Sequence, residues 1–146
     1  MTKRIALVLG TVVALVLVVA AGVAFAAVLT GNQNANTILG TSADDDITGA
    51  AGNDTLRGRA GNDTMFGDSG DDDMNGNAGT DHLEGGTGVN TVNGGLGDAD
   101  IVSVVDGDSD DIAIGGAGNN DTCIVDGFPQ PDPSDPSCEL VIETQF

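Results

Sequence analysis

The chain has 146 residues, with 23 Asp+Glu against 4 Lys+Arg, 23 Gly, four Phe and neither Trp nor Tyr. A net charge of −19 excludes nucleic acid as a partner, because phosphate binding needs a basic face, and it disfavours adsorption to anionic lipid. So few aromatic side chains cannot fill a conventional compact core, and so much glycine is costly to order unless the fold requires it.

Residues 1–29 contain no acid. Lys3 and Arg4 precede an almost unbroken apolar run over 5–23, which ends in the small residues Ala24, Ala26 and Ala27 around Phe25. This is the layout of a secretory signal peptide, 1–26, cleaved after Ala26. The length of the run leaves an uncleaved membrane anchor as the alternative, and only in that case would the chain be held at a membrane. Cleavage implies a secreted, extracellular protein, or one associated with the cell surface. It would also leave the 23 acids facing only Arg57 and Arg59, a net charge of −21. By composition such a chain is disordered unless a repeat or a bound counter-ion orders it.

A repeat begins after a short lead-in, 27–39, which holds one degenerate unit with Gly31, Asn36 and Ile38. From there Gly40, Gly49, Gly58, Gly67, Gly76, Gly85 and Gly94 recur with a period of nine. Three residues after each stand Ala43, Gly52, Gly61, Gly70, Gly79, Gly88 and Gly97. Two further on are Asp45, Asp54, Asp63, Asp72, Asp81, Asn90 and Ala99, and two beyond those are Ile47, Leu56, Met65, Met74, Leu83, Val92 and Ile101. Glycines three apart let the backbone turn tightly, and the x-U-x that follows the acid makes a very short strand with one inward side chain. Two units then make a coil of 18 residues, whose inward aliphatic side chains form a thin core.

The pattern G-x-x-G-x-D-x-U-x closely resembles the RTX (haemolysin-type) calcium-binding nonapeptide, and the resemblance covers 40–102 cleanly. It implies an all-β, right-handed parallel β-roll spanning 40–127, regular to 102 and irregular after. It also implies that the chain folds on meeting calcium outside the cell.

Alternate units turn on the same edge of such a roll, so carboxylates 18 residues apart become neighbours. One edge would stack Asp45, Asp63 and Asp81, and the other Asn36, Asp54, Asp72 and Asn90. Rows of like charge repel, and a hard divalent ion between adjacent turns removes the repulsion. Calcium accepts six to eight oxygens in a flexible shell, whereas magnesium demands a compact octahedron. The best sites are expected between Asp45 and Asp63, Asp63 and Asp81, and Asp54 and Asp72, with a weaker one at Asn90; three to five ions in all. The resemblance implies that turn carbonyls complete the shell, here those of Gly49, Gly52, Gly58, Gly61, Gly67, Gly70 and Gly79. Ala99 interrupts the first row, where Asp98 or Asp100 compensates.

Beyond 102 the register breaks. The acidic stretch 106–111 resembles half an EF-hand loop, but Asp111 stands where Gly is needed and Ala117 where the bidentate Glu belongs. It reads instead as a roll turn with two inserted residues, in which Asp108 and Asp110 are weaker candidate ligands and Ile112 resumes the core role. Residues 115–121 form another repeat turn, with the core position at Cys123 or Ile124. A Pro-rich loop, 128–136, precedes a last strand over 139–142, so that 128–146 caps the roll. In a secreted chain the two cysteines, Cys123 and Cys138, form a disulfide closing that cap; two free thiols or an intermolecular bridge are the alternatives.

No catalytic constellation is present. The G-D-S-G at 67–70 lies in phase inside a repeat, and the lone His82 occupies an outward position. The expected function is a structural, non-catalytic calcium-binding module. The alternative is calcium-dependent adhesion or surface recognition. An ice-binding face would need a regular Thr ladder, and the outward series Asp46, Thr55, Thr64, Asp73, His82, Thr91 and Asp100 is none. No protein or glycan partner can be named from the sequence.

Overall fold

A computed structural model describes residues 25–106, 110–126, 138 and 140–144. The leader over 1–24, Asp108 and the Pro-rich loop lie outside the described residues. Twelve strands follow in chain order: β1 (Val28–Thr30), β2 (Thr37–Leu39), β3 (Asp46–Thr48), β4 (Thr55–Ala60), β5 (Thr64–Phe66), β6 (Asp73–Ala78), β7 (His82–Glu84), β8 (Thr91–Leu96), β9 (Ile101–Val104), β10 (Ile112–Ala117), β11 (Thr122–Asp126) and β12 (Leu140–Thr144). Among the described residues there is no helix.

From β1 to β11 the strands alternate between two parallel sheets, and β12 stays in the sheet of β11. One has the order β1-β3-β5-β7-β9-β11-β12 and the other β10-β8-β6-β4-β2. From β1 to β9 each crossing from one sheet to the other is a repeat turn, so the chain winds as an all-β parallel roll. The register is the nine-residue count made physical: Ile47 pairs with Met65 and Met65 with Leu83, while Leu56 pairs with Met74 and Met74 with Val92. Because side chains alternate along a strand, only one residue of each short x-U-x strand points inward. Those residues are the core: Ile47, Leu56, Met65, Met74, Leu83 and Val92 are fully enclosed between the sheets. The lead-in adds Leu29 on β1 and Ile38 on β2 to the same file, two strands where the sequence suggested one degenerate unit.

The core departs from expectation at two places. Ile101 is 37% exposed and Val102 is buried in its stead; Ile112 is 51% exposed and Ala113 packs against the core. Both shifts have one cause. The turn before β9 carries one residue more than its predecessors, Ala99, which takes a left-handed conformation with φ 65°. The chain therefore reaches the inward position one residue late. The next turn on that edge repeats the addition at Asn120, φ 66°, and Asp121 and Cys123 then fall at the carboxylate and core positions.

At the C-terminal end β12 pairs in parallel with β11, Val141 beside Cys123. The disulfide joins Cys123 to Cys138, with their Cα atoms 5.8 Å apart, and ties the last strand to a core residue.

Candidate metal centres in the turns

The turns place ten residues in two rows. Asp45, Asp63, Asp81, Asp100 and Asp121 follow one edge, and Asn36, Asp54, Asp72, Asn90 and Asp111 the other. All but Asn36 are buried; Asp63 and Asp81 are each 1% exposed. Neighbours in a row do not simply oppose carboxylate to carboxylate. One oxygen of each, Oδ1, accepts the main-chain N–H of the corresponding residue one coil earlier. Asp45 donates to Asp63, Asp63 to Asp81 and Asp81 to Asp100, each at 2.8 Å, and Asp54 donates to Asp72 at 2.8 Å. The backbone itself thus offsets part of the expected repulsion, since a carboxylate that accepts an N–H is stabilised in its charged form.

The second oxygen carries the chemistry. Oδ2 of Asp54, Asp63, Asp72, Asp81 and Asp100 is buried with no hydrogen-bond donor. Buried carboxylate oxygens are otherwise paired, because desolvating one without a partner is expensive. Burial accordingly pushes the Asp72 carboxyl up to about 6, against the pull of the N–H of Asp54 and with Asp54, Asp71 and Asp68 adding repulsion. Burial likewise pushes Asp81 up to about 7, with Asp100, Asp63 and Asp44 adding to it. Asp54, Asp63 and Asp100 are raised for the same leading reason.

Why Oδ2 stays bare is set by the second residue of each turn. In the two first turns an N–H fills the place: Asn32 donates to Oδ1 of Asn36 at 2.7 Å, and Thr41 donates to Oδ2 of Asp45 at 2.5 Å. In the next turns the equivalent residues, Ala50, Arg59, Asp68 and Asn77, have φ of 81°, 88°, 70° and 75°. None is glycine, and a left-handed conformation costs such residues roughly 1–2 kcal/mol each. Strain of this kind gathers at functional sites. Here it accompanies an Asp oxygen that no N–H reaches.

The glycines bring carbonyl oxygens to the same place. At Gly58 a Cβ would collide with Oδ2 of Asp63 and with the carbonyl oxygen of Gly76, so both oxygens lie against one bare Cα. Gly49 stands likewise between Asp54 and Gly67, and Gly67 between Asp72 and Gly85. The second glycine of the turn is needed for conformation: Gly61 has φ +113° and abuts the Ala43 backbone. Gly52, Gly70 and Gly79 repeat that geometry.

Asn90 is arranged differently. Its Oδ1 accepts the N–H of Asp72 at 3.0 Å, and its Nδ2 donates to the carbonyls of Gly86 and Gly88 at 3.0 and 3.2 Å.

Of the weaker candidates, Asp100 joins the row, whereas Asp98 is exposed and accepts the Asn119 N–H at 2.9 Å. Asp110 is exposed, and Asp111 takes the row position instead, accepting the N–H of Asn90 at 2.6 Å. The added residue Ala99 moves the row position from 99 to Asp100 and carries the shift on to Asp111. The signal for Asp111 and Asp121 is the D-x-U spacing, Asp111 to Ala113 and Asp121 to Cys123, which holds where the nine-residue count does not.

Among the described residues no three His, Cys, Asp or Glu side chains converge as a metal centre. A cation in these turns would take one or two carboxylates and fill its shell with carbonyls. That all-oxygen donor set suits calcium and lacks the Cys and His donors of structural zinc sites. The bare, buried Oδ2 atoms fit such an ion.

A family model, the RTX calcium-binding nonapeptide repeat, matches the chain in four copies, over residues 30–65, 39–74 and 66–101. No curated protein and no solved structure matches it.

Proposed function

We propose, on the premise that residues 30–101 are RTX calcium-binding nonapeptide repeats, that this protein is an exported structural module whose roll is completed by calcium. The ions bridge adjacent turns of the same edge: Asp54 with Asp72 on one, and Asp63 with Asp81 and Asp81 with Asp100 on the other. The turn carbonyls supply the remaining oxygens. The ion contributes positive charge; the chain contributes buried oxygens held at coil spacing. One observation carries this reading, the five buried Oδ2 atoms without a donor.

The leader reading places the protein outside the cell, where calcium is abundant. Binding to the folded state alone adds stability by mass action, so the roll orders on export rather than before it. No catalytic role is assigned to it.

Far-UV circular dichroism of the purified protein against calcium, with magnesium as control, tests the proposal. The β spectrum should develop with calcium and much less with magnesium. A calcium-free protein that already shows the full β spectrum would overturn it.

A further inference from the structure

We infer that Asn90 takes the place of a calcium ion, so that the turn 85–90 is closed by the protein's own amide and remains metal-free. The inference rests on the calcium reading above and refines which turns take part.

The argument starts from the orientation of the side-chain amide. Asn90 Oδ1 accepts the Asp72 N–H, as the Asp Oδ1 atoms do elsewhere in the rows. This leaves Nδ2 where the Asp turns hold the bare Oδ2. From that place it donates to the carbonyls of Gly86 and Gly88, the second and fourth residues of the turn, and Asn90 is wholly buried. The backbone follows the path of an open turn: Gly86 and Gly88 have φ of 85° and 117°, and their counterparts Asp68 and Gly70 have 70° and 128°.

By the same backbone path the carbonyls of Asp68 and Gly70 in turn 67–72 would face Oδ2 of Asp72, which no donor reaches, although the Asp68 carbonyl also accepts the Thr87 N–H at 2.8 Å. Lone pairs so gathered need a cation. In turn 85–90 the two hydrogens of Nδ2 supply what the cation would, and they repel any ion that approaches. Asn90 thus cuts the row of its edge: Asp54 and Asp72 form one open pair before it, and Asp111 lies beyond.

Bound calcium per chain, measured by elemental analysis after equilibrium dialysis against fixed free calcium, tests this. Asn90→Asp should bind one more calcium ion than the unaltered protein, and should lose β signal when calcium is withdrawn. Asp72→Asn makes the opposite exchange: it should bind one ion fewer, yet keep more β signal than the unaltered protein in calcium-depleted buffer. An unchanged ion count in either variant overturns the inference. So does an Asn90→Asp protein that fails to fold in calcium, because an opened turn that takes its ion should fold. Failure of the underlying calcium reading shows itself separately, as an unaltered protein that binds no calcium.

Discussion

The main-chain N–H of Asp63 donates to Oδ1 of Asp81, 2.8 Å away and eighteen residues along the chain. One carboxylate thereby ties two coils together with one oxygen and offers the other to a cation. The two duties can be separated. Asp81→Asn keeps an acceptor for the Asp63 N–H; Asp81→Ala leaves that buried donor unsatisfied, a penalty of about 1–3 kcal/mol. In saturating calcium, denaturant unfolding should rank Asp81→Ala below Asp81→Asn by about that amount. Equal stabilities would mean the tie between coils contributes nothing.

The raised carboxyls give the calcium-free protein an inverted pH response. The Asp72 and Asp81 carboxyls titrate at about 6 and about 7 in the folded chain, above their ordinary value of 3.8. Folding therefore favours their protonated forms. Their contribution to stability is complete below the ordinary value and is lost as pH rises through 6 and 7. In calcium-depleted buffer, lowering the pH from about 8 to about 5 should increase the far-UV β signal. With calcium present the slope should reverse, since protons compete with the ion for the same oxygens. A chelated protein that loses order on acidification would contradict this.

Glycine is required in the turns for two unequal reasons, and substitutions should separate them. Gly61→Ala meets both a φ of +113° and the Ala43 backbone. It should destabilise by more than the roughly 1–2 kcal/mol of a left-handed alanine alone. Ala50 already bears the left-handed cost at φ 81°, so Ala50→Gly should be neutral or stabilise by up to about 1 kcal/mol after the unfolded chain's gain in freedom is counted. Thermal unfolding in calcium should place Gly61→Ala below the parent and Ala50→Gly at or above it.

The disulfide closes a separation of 15 residues, for which chain-entropy arguments give about 3 kcal/mol. Its reduction should lower the unfolding midpoint while leaving the calcium count unchanged, because Cys123 and Cys138 lie beyond Asp54, Asp63, Asp72, Asp81 and Asp100. Loss of bound calcium on reduction would show that the cap supports the sites directly.

Most of the roll was legible because its signal is redundant. Gly58, Gly61, Asp63 and Met65 each mark the same register, so no single substitution obscures it. Register failed where one residue carried it alone. Ala99 has no side-chain signature distinguishing an added residue from a degraded Asp, and Ile101 and Val102 are equally good core candidates in isolation. The D-x-U spacing from Asp100 to Val102 resolves them, because the acid and the core residue share one rigid turn-to-strand junction, whereas the count of nine crosses a deformable turn. What sequence could not express was the use of each oxygen. That Oδ1 of Asp81 ties a coil while Oδ2 stays bare depends on backbone direction at Asn77, a conformation its side chain does not announce.

The added residue at Ala99 also bears on how such a stack grows. Ala99 donates its N–H to the Asn119 carbonyl at 2.9 Å, and Asn120 repeats its left-handed turn one coil later. A roll is a crystal one unit cell across, in which every layer is templated by the layer beneath. On this edge the enlarged turn at Ala99 is matched by an equally enlarged turn at Asn120, and the ladder runs on through both, from Asp81 to Asp100 and from Asp100 to Asp121.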